Sequence, residues 1–126
     1  MFKGIKKETA VNVNQILGAL TRYHAVGVVV SNATAVTENG RKVVKAGTPL
    51  AGDLLDRATA FTVATGANAV GILLHDVDVT DGPNGDGALL TGGVVNVNRI
   101  DATTAAKITE EVITALKGKV EFIKDN

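Results

Sequence analysis

Lys45-Ala46-Gly47-Thr48-Pro49-Leu50 is a turn that leads, through an intervening link, to the apolar run Ala69-Val70-Gly71-Ile72-Leu73-Leu74. An acidic loop follows, His75-Asp76-Val77-Asp78-Val79-Thr80-Asp81-Gly82-Pro83-Asn84-Gly85-Asp86-Gly87. Two more apolar pieces, Ala88-Leu89-Leu90 and Gly93-Val94-Val95-Asn96-Val97-Asn98, close the stretch. Short aliphatic runs broken by glycine and proline are the pattern of strands and turns, not of helices. Asp81-Gly82-Pro83-Asn84-Gly85 is the strongest breaker cluster in the chain, and its glycines read as turn residues. The stretch predicts strands, glycine turns and a small core, and it points to a protein that binds and holds.

Upstream of this stretch, Ala25-Val26-Gly27-Val28-Val29-Val30 is rich in β-branched residues and reads as a buried strand. Val36-Thr37-Glu38 and Arg41-Lys42-Val43 flank Asn39-Gly40, the residue pair that accepts the positive φ angles of a two-residue hairpin turn. Thr9-Ala10-Val11-Asn12-Val13-Asn14 alternates with a period of two, a half-buried strand signal. Ile16 to Leu20 fits either a helical turn or an extended segment. Ala51 to Ala60 reads as a short helix or an irregular link anchored by Leu54 and Leu55, and Phe61-Thr62-Val63 as a short strand.

Downstream, the apolar period changes. Asp101 caps a helix of about Ala102–Lys117, whose apolar face is Ala105, Ile108, Val112 and Leu116. Gly118 stands at the left-handed position that ends such a helix, and Val120-Glu121-Phe122-Ile123 is a final strand or apolar tail. The fold class is mainly β with one C-terminal α-helix. Residues 1–8 read either as a frayed basic terminus, which the sequence alone favours, or as an N-terminal arm that orders on a partner, ahead of a single β-rich domain, 9–126.

Composition narrows the function. A chain of 126 residues buries about 65% of its unfolded surface in one core. Aromatics make up only 3%, so that core rests on aliphatic side chains and offers little for base or sugar stacking. Thirteen basic residues balance 13 acidic ones, which argues against direct nucleic-acid binding. The absence of cysteine removes disulfides, thiolate metal sites and cysteine nucleophiles. Lys3, Lys6 and Lys7 are not followed by a signal-peptide core, and no apolar run approaches the length of a membrane helix, so neither secretion nor membrane insertion is expected.

The chemistry-bearing residues do not assemble into a catalytic motif. Asp76, Asp78, Asp81 and Asp86 are oxygen ligands of the kind calcium takes, but the spacing departs from the EF-hand, with Gly87 where its bidentate Glu belongs. A solvated edge with Asp76 and Asp78 on one face is the simpler account. His24 and His75, the two histidines, lie in no metal motif, and Ser31, the single serine, lacks a nucleophile elbow. Asn32-Ala33-Thr34 matches a glycosylation sequon without a secretion signal to give it meaning. The expectation is a non-enzyme without metal or cofactor.

Ala46-Gly47-Thr48-Pro49-Leu50, Ala69 to Asp78 and Gly87 to Asn96 together resemble the lambda-like head decoration proteins of tailed bacteriophages. In that family an a-G-t-p-l turn precedes an A-v-G-i-l strand with an acidic tail, and a G-x-V strand and a late helix follow. The match covers about the C-terminal two-thirds of the chain; before Lys45 the sequence departs from the family pattern, with its own strand pair and hairpin. The resemblance implies a small β-barrel or β-tulip-like domain that decorates the exterior of the expanded capsid. It would be made in the host cytoplasm, form a homotrimer, and bridge subunits of the major capsid protein. An N-terminal arm would pair with capsid strands, which makes Phe2, Lys3, Ile5, Lys6 and Lys7 the capsid-contact candidates. The alternative is a virion fibre-base or host-receptor-binding module.

Overall fold

The computed structural model describes residues 17–33 and 35–124. The β-branched run ending at Val30 lies in β1 (Leu17–Ser31), which extends well upstream of it. Leu17 to Leu20 is extended because it has a strand partner: Leu17 pairs with Val95 and Ala19 with Val94. The hairpin follows as β2 (Val36–Glu38) and β3 (Arg41–Val44). Asn39 and Gly40 adopt φ of 54° and 80°, as a type I′ turn requires. Then come β4 (Pro49–Ala51), β5 (Thr62–Val63), β6 (Gly71–Leu73), β7 (Val77–Asp78) and β8 (Asn84–Asn96). A 3-10 turn, Val97–Arg99, leads to α1 (Ala102–Ala105), α2 (Glu110–Ala115) and β9 (Val120–Ile123). The mainly β fold is the one expected. The Thr9–Asn14 strand and the arm of residues 1–8 lie outside the described residues.

The large sheet has the order β1-β8-β6-β4-β5, and β2-β3-β7 form a second, three-stranded sheet. Three strands attach to β8. Antiparallel β1 covers one edge, and antiparallel β6 and parallel β9 share the other, since Val94 and Val95 pair with β1 and β9 at once. At the far end of the order, Phe61 forms a parallel bridge back to Val30. Phe61 N–H donates to Val29 O at 2.7 Å, and Ser31 N–H donates to Phe61 O at 2.9 Å. The large sheet therefore curls until its two ends meet at one bridge, not along a full barrel ladder.

Three sequence expectations need correction. Ala88–Leu90 and Gly93–Asn98 are not separate strands, because one 13-residue β8 joins them, glycines included, and ends at Asn96, where Val97 and Asn98 enter the 3-10 turn. Gly85 and Gly87 are strand residues: a Cβ on Gly85 would lie 2.6 Å from Val77 Cγ1, and one on Gly87 2.8 Å from Val77 Cγ2. Only hydrogen leaves room for β7 to cross there. The C-terminal helix is two short ones. Lys107 N–H reaches back three residues to Thr104 O and Ile108 N–H to Ala105 O, a 3-10 tightening that ends α1. Thr109 then caps α2, its Oγ1 accepting from Val112 N–H, with Glu110 and Glu111 in the favoured first turn. Asp101 caps α1 as expected, accepting from Thr104 N–H.

The pleat of β6 and β8 divides the core in two. Ile72, Leu74 and Leu90 face Ile100, Val112, Leu116 and Val120. Leu73 and Leu89, one residue along, face Val30, Val44, Leu50, Phe61 and Val77. Alternate residues of a strand point to opposite faces, so both faces of this sheet centre are apolar, and β6 reads as a continuous aliphatic run. Each of these fully buried aliphatic side chains contributes about 1.5–3 kcal/mol.

Candidate functional site

The turn and the apolar run that carry the sequence resemblance are hydrogen-bonded to each other. Pro49 pairs with Ile72 and Leu50 with Gly71, while Gly47 N–H donates to Leu73 O at 2.7 Å. Gly47 has φ of 94°, and a Cβ there would lie 2.6 Å from Ile100 Cγ2, so the turn needs glycine twice over. Thr48 is buried and its hydroxyl donates to Lys45 O at 2.7 Å. This stretch builds the scaffold; the surfaces available to a partner lie around it.

The acidic loop faces the basic hairpin. Arg41 pairs with Asp78 through its Nε and with Asp81 through a terminal nitrogen at 3.7 Å. Asp78 also accepts from Thr80 N–H at 2.9 Å. These hydrogen bonds, Arg41's foremost, hold the Asp78 carboxyl well below the usual carboxylate range. The same bond raises the Arg41 guanidinium above its ordinary value. Lys45 bridges Glu38 at 3.2 Å and Asp76 at 3.3 Å, and those partners, Glu38 first, raise its ammonium against the opposing effect of burial. Asp76 also accepts from Ala46 N–H at 2.7 Å. Asp86 stands apart on β8, opposite Val29. Three of the four loop carboxylates thus serve as counter-ions that tie β7 to β3. Among the described residues no cluster of three His, Asp or Glu gathers to hold a metal ion.

The remaining candidates are dispersed. His24 lies exposed on β1 opposite Gly92, whereas half-buried His75 follows β6. Ser31 Oγ accepts from Ala33 N–H at 3.1 Å, a local turn at the end of β1. Asn32 is half-buried and its amide donates to Gly82 O at 3.3 Å, closing the β7–β8 turn. Phe2, Lys3, Ile5, Lys6 and Lys7 lie outside the described residues.

Two features were not legible in the sequence. One is the outer edge of β1. Phe61 covers it at Val29–Ser31, and Arg57 caps it at Gly27, its guanidinium donating to Gly27 O at 3.1 Å. From Leu17 to Val26 it has no strand partner among the described residues. Unpaired N–H and C=O groups in such a row form a template for another strand. The other is the link between β4 and β5. It is not a helix, and Leu55 does not anchor it: that side chain is 97% exposed. Polar groups fix the link instead, Asp53 Oδ1 accepting from Leu55 N–H at 2.9 Å and Asp56 Oδ2 from Thr59 Oγ1 at 2.7 Å.

No helix among the described residues is long and apolar enough to cross a membrane. No protein-family model matches the chain, and no curated protein matches it in sequence.

Proposed function

We propose that this chain is a capsid decoration protein of a tailed bacteriophage, a non-catalytic cement that binds the outside of the expanded head and bridges neighbouring major capsid subunits. The observation that carries the reading is the outer edge of β1 from Leu17 to Val26, which has no strand partner among the described residues. A capsid strand added there gains main-chain hydrogen bonds without a shaped pocket. Many copies engaged on one shell turn modest contacts into lasting attachment. The pairing of the Ala46–Leu50 turn with β6, and of β6 with β8, supports the same reading, because the three segments that resemble the decoration family form one structural unit. In this reading the protein acts as a homotrimer on the virion exterior, with neither nucleic acid nor membrane as its partner, and Phe2, Lys3, Ile5, Lys6 and Lys7 contact the capsid.

The test is co-sedimentation with undecorated expanded heads of the virus that encodes the chain. Full-length protein is expected to pellet with heads and to delay their thermal rupture, and a chain beginning at Thr9 to bind more weakly. Equal binding of the two forms would remove the arm from the mechanism. Absence of binding by the full chain, with capture by host cells instead, would replace decoration with a receptor-facing role.

A further inference from the structure

The exposed large apolar side chains of the described residues fall mainly in two places. Leu54 and Leu55 project from the β4–β5 link, while Ile113 and Ile123 flank a groove beside β9. That groove measures about 540 Å³, and among the described residues that line it, including Val97, Ile108, Ile113, Phe122 and Ile123, Lys124 alone is charged. One feature is convex and the other concave. Asp53 and Asp56 flank the leucines, so an acidic knob would meet a groove with a cation at its rim. The knob is pre-formed by the Asp53 and Asp56 turns and by the Arg57 bond to Gly27, which limits the ordering cost of docking it.

The two features cannot meet within one chain. The knob is tied to Gly27, which pairs with Ala88, whereas Phe122 of the groove pairs with Val95. Along β8 those two registers are roughly 23 Å apart at 3.3 Å per residue. We propose that the Leu54–Leu55 knob of one copy seats in the β9 groove of a second copy. Knob and groove are different surfaces, so the contact is head-to-tail and leaves a free knob and a free groove until a ring closes. The proposal rests on the self-association contained in the decoration reading, and supplies the interface for it.

The absence of native cysteine permits a directional test with the full chain. Leu55→Cys and Ile113→Cys variants are prepared separately, mixed and oxidised. A covalent dimer is expected in the mixture, with only background in either variant alone. Light scattering after size exclusion is expected to give wild type a fixed multiple of its 12.9 kDa mass, and Leu55→Asp the mass of a single chain. Leu55 is almost fully exposed, so that substitution leaves the core untouched, and an unchanged far-UV spectrum checks this. A mixture that cross-links no better than its components overturns the proposal, as does an oligomer that survives Leu55→Asp. Head binding is scored separately: a chain that binds heads without the cross-link overturns the knob contact alone, and a cross-linked ring that ignores heads overturns decoration alone.

Discussion

Phe61 joins the two ends of the large sheet, and its removal is the sharpest test of the packing. Its ring is fully buried among Val30, Leu50, Leu73 and Leu89, and the backbone of Gly52 lies against one face of it. Phe61→Ala keeps the backbone bridge to Val30 but empties the ring site, at an expected cost of about 3–5 kcal/mol. With a urea slope of about 2 kcal/mol per molar, the unfolding midpoint falls by roughly 2 M. Gly52→Ala approaches the same contact from the other side. Its Cβ would lie 2.5 Å from Phe61 Cδ2 and 2.6 Å from Cγ, atoms of a rigid ring with no exposed surface to retreat into. That overpacking costs about 1–3 kcal/mol in the wild type. In the Phe61→Ala background the obstructing ring is gone and the added methyl points into the space it vacated, so Gly52→Ala becomes nearly neutral. The double-mutant cycle should return a coupling of at least about 1 kcal/mol. Strictly additive costs would refute the face contact, and a loss below about 1 kcal/mol for Phe61→Ala would refute its burial at the sheet junction.

Three other substitutions probe different parts of the chain. Gly40→Val places a β-branched residue at φ of 80° and should cost at least about 1–2 kcal/mol, read as a lower urea midpoint; no change would mean the type I′ turn is misassigned. Thr109→Ala removes the cap of α2 and should cost about 1 kcal/mol by thermal melting, whereas one continuous helix through this position would gain from alanine. Asp78 is held below its unfolded pKa, so its contribution is present above about pH 4 and is lost as the pH falls through its folded value. Asp78→Asn should therefore flatten the acid limb of the stability profile measured by urea midpoints, and parallel wild-type and variant curves would contradict the Arg41–Asp78 assignment.

Local chemistry was legible wherever a short motif determines the backbone. Asn39-Gly40 announced its turn, Asp101 its cap, and the β-branched run before Ser31 its strand. Apolar spacing also located the right face of the C-terminal segment: Val112 and Leu116 are buried, and Ala105 and Ile108 pack against them. The helix break was written in Thr109-Glu110-Glu111, a cap followed by two acids, but the unbroken apolar period hid it. Long-range contacts decided the rest. Gly85 and Gly87 carry turn chemistry in sequence, but they are strand residues paired with Val30 and Val28, and Val77 crossing over them leaves no room for a side chain. The acidic loop read as a solvated edge, and only the fold shows the hairpin bringing Arg41 and Lys45 to it across more than thirty positions of sequence. Leu55 looked like an anchor because hydrophobicity alone does not say which way a loop residue points.

The place of β8 late in the chain has a consequence for how the protein is made. Ser31 waits for Asn84, and Leu17 for Val95, before β1 has its neighbour. At roughly 5–20 residues per second, a ribosome needs about 3–16 seconds to supply those partners. Throughout that interval the Val26–Val30 segment emerges as an unpaired, β-branched strand, while the Asn39-Gly40 hairpin can close at once. The main sheet therefore assembles almost in a single event around β8, and the short hairpin gains its third strand only when β7 is made. Any pause before Asn96 lengthens the time this strand is exposed to other growing chains.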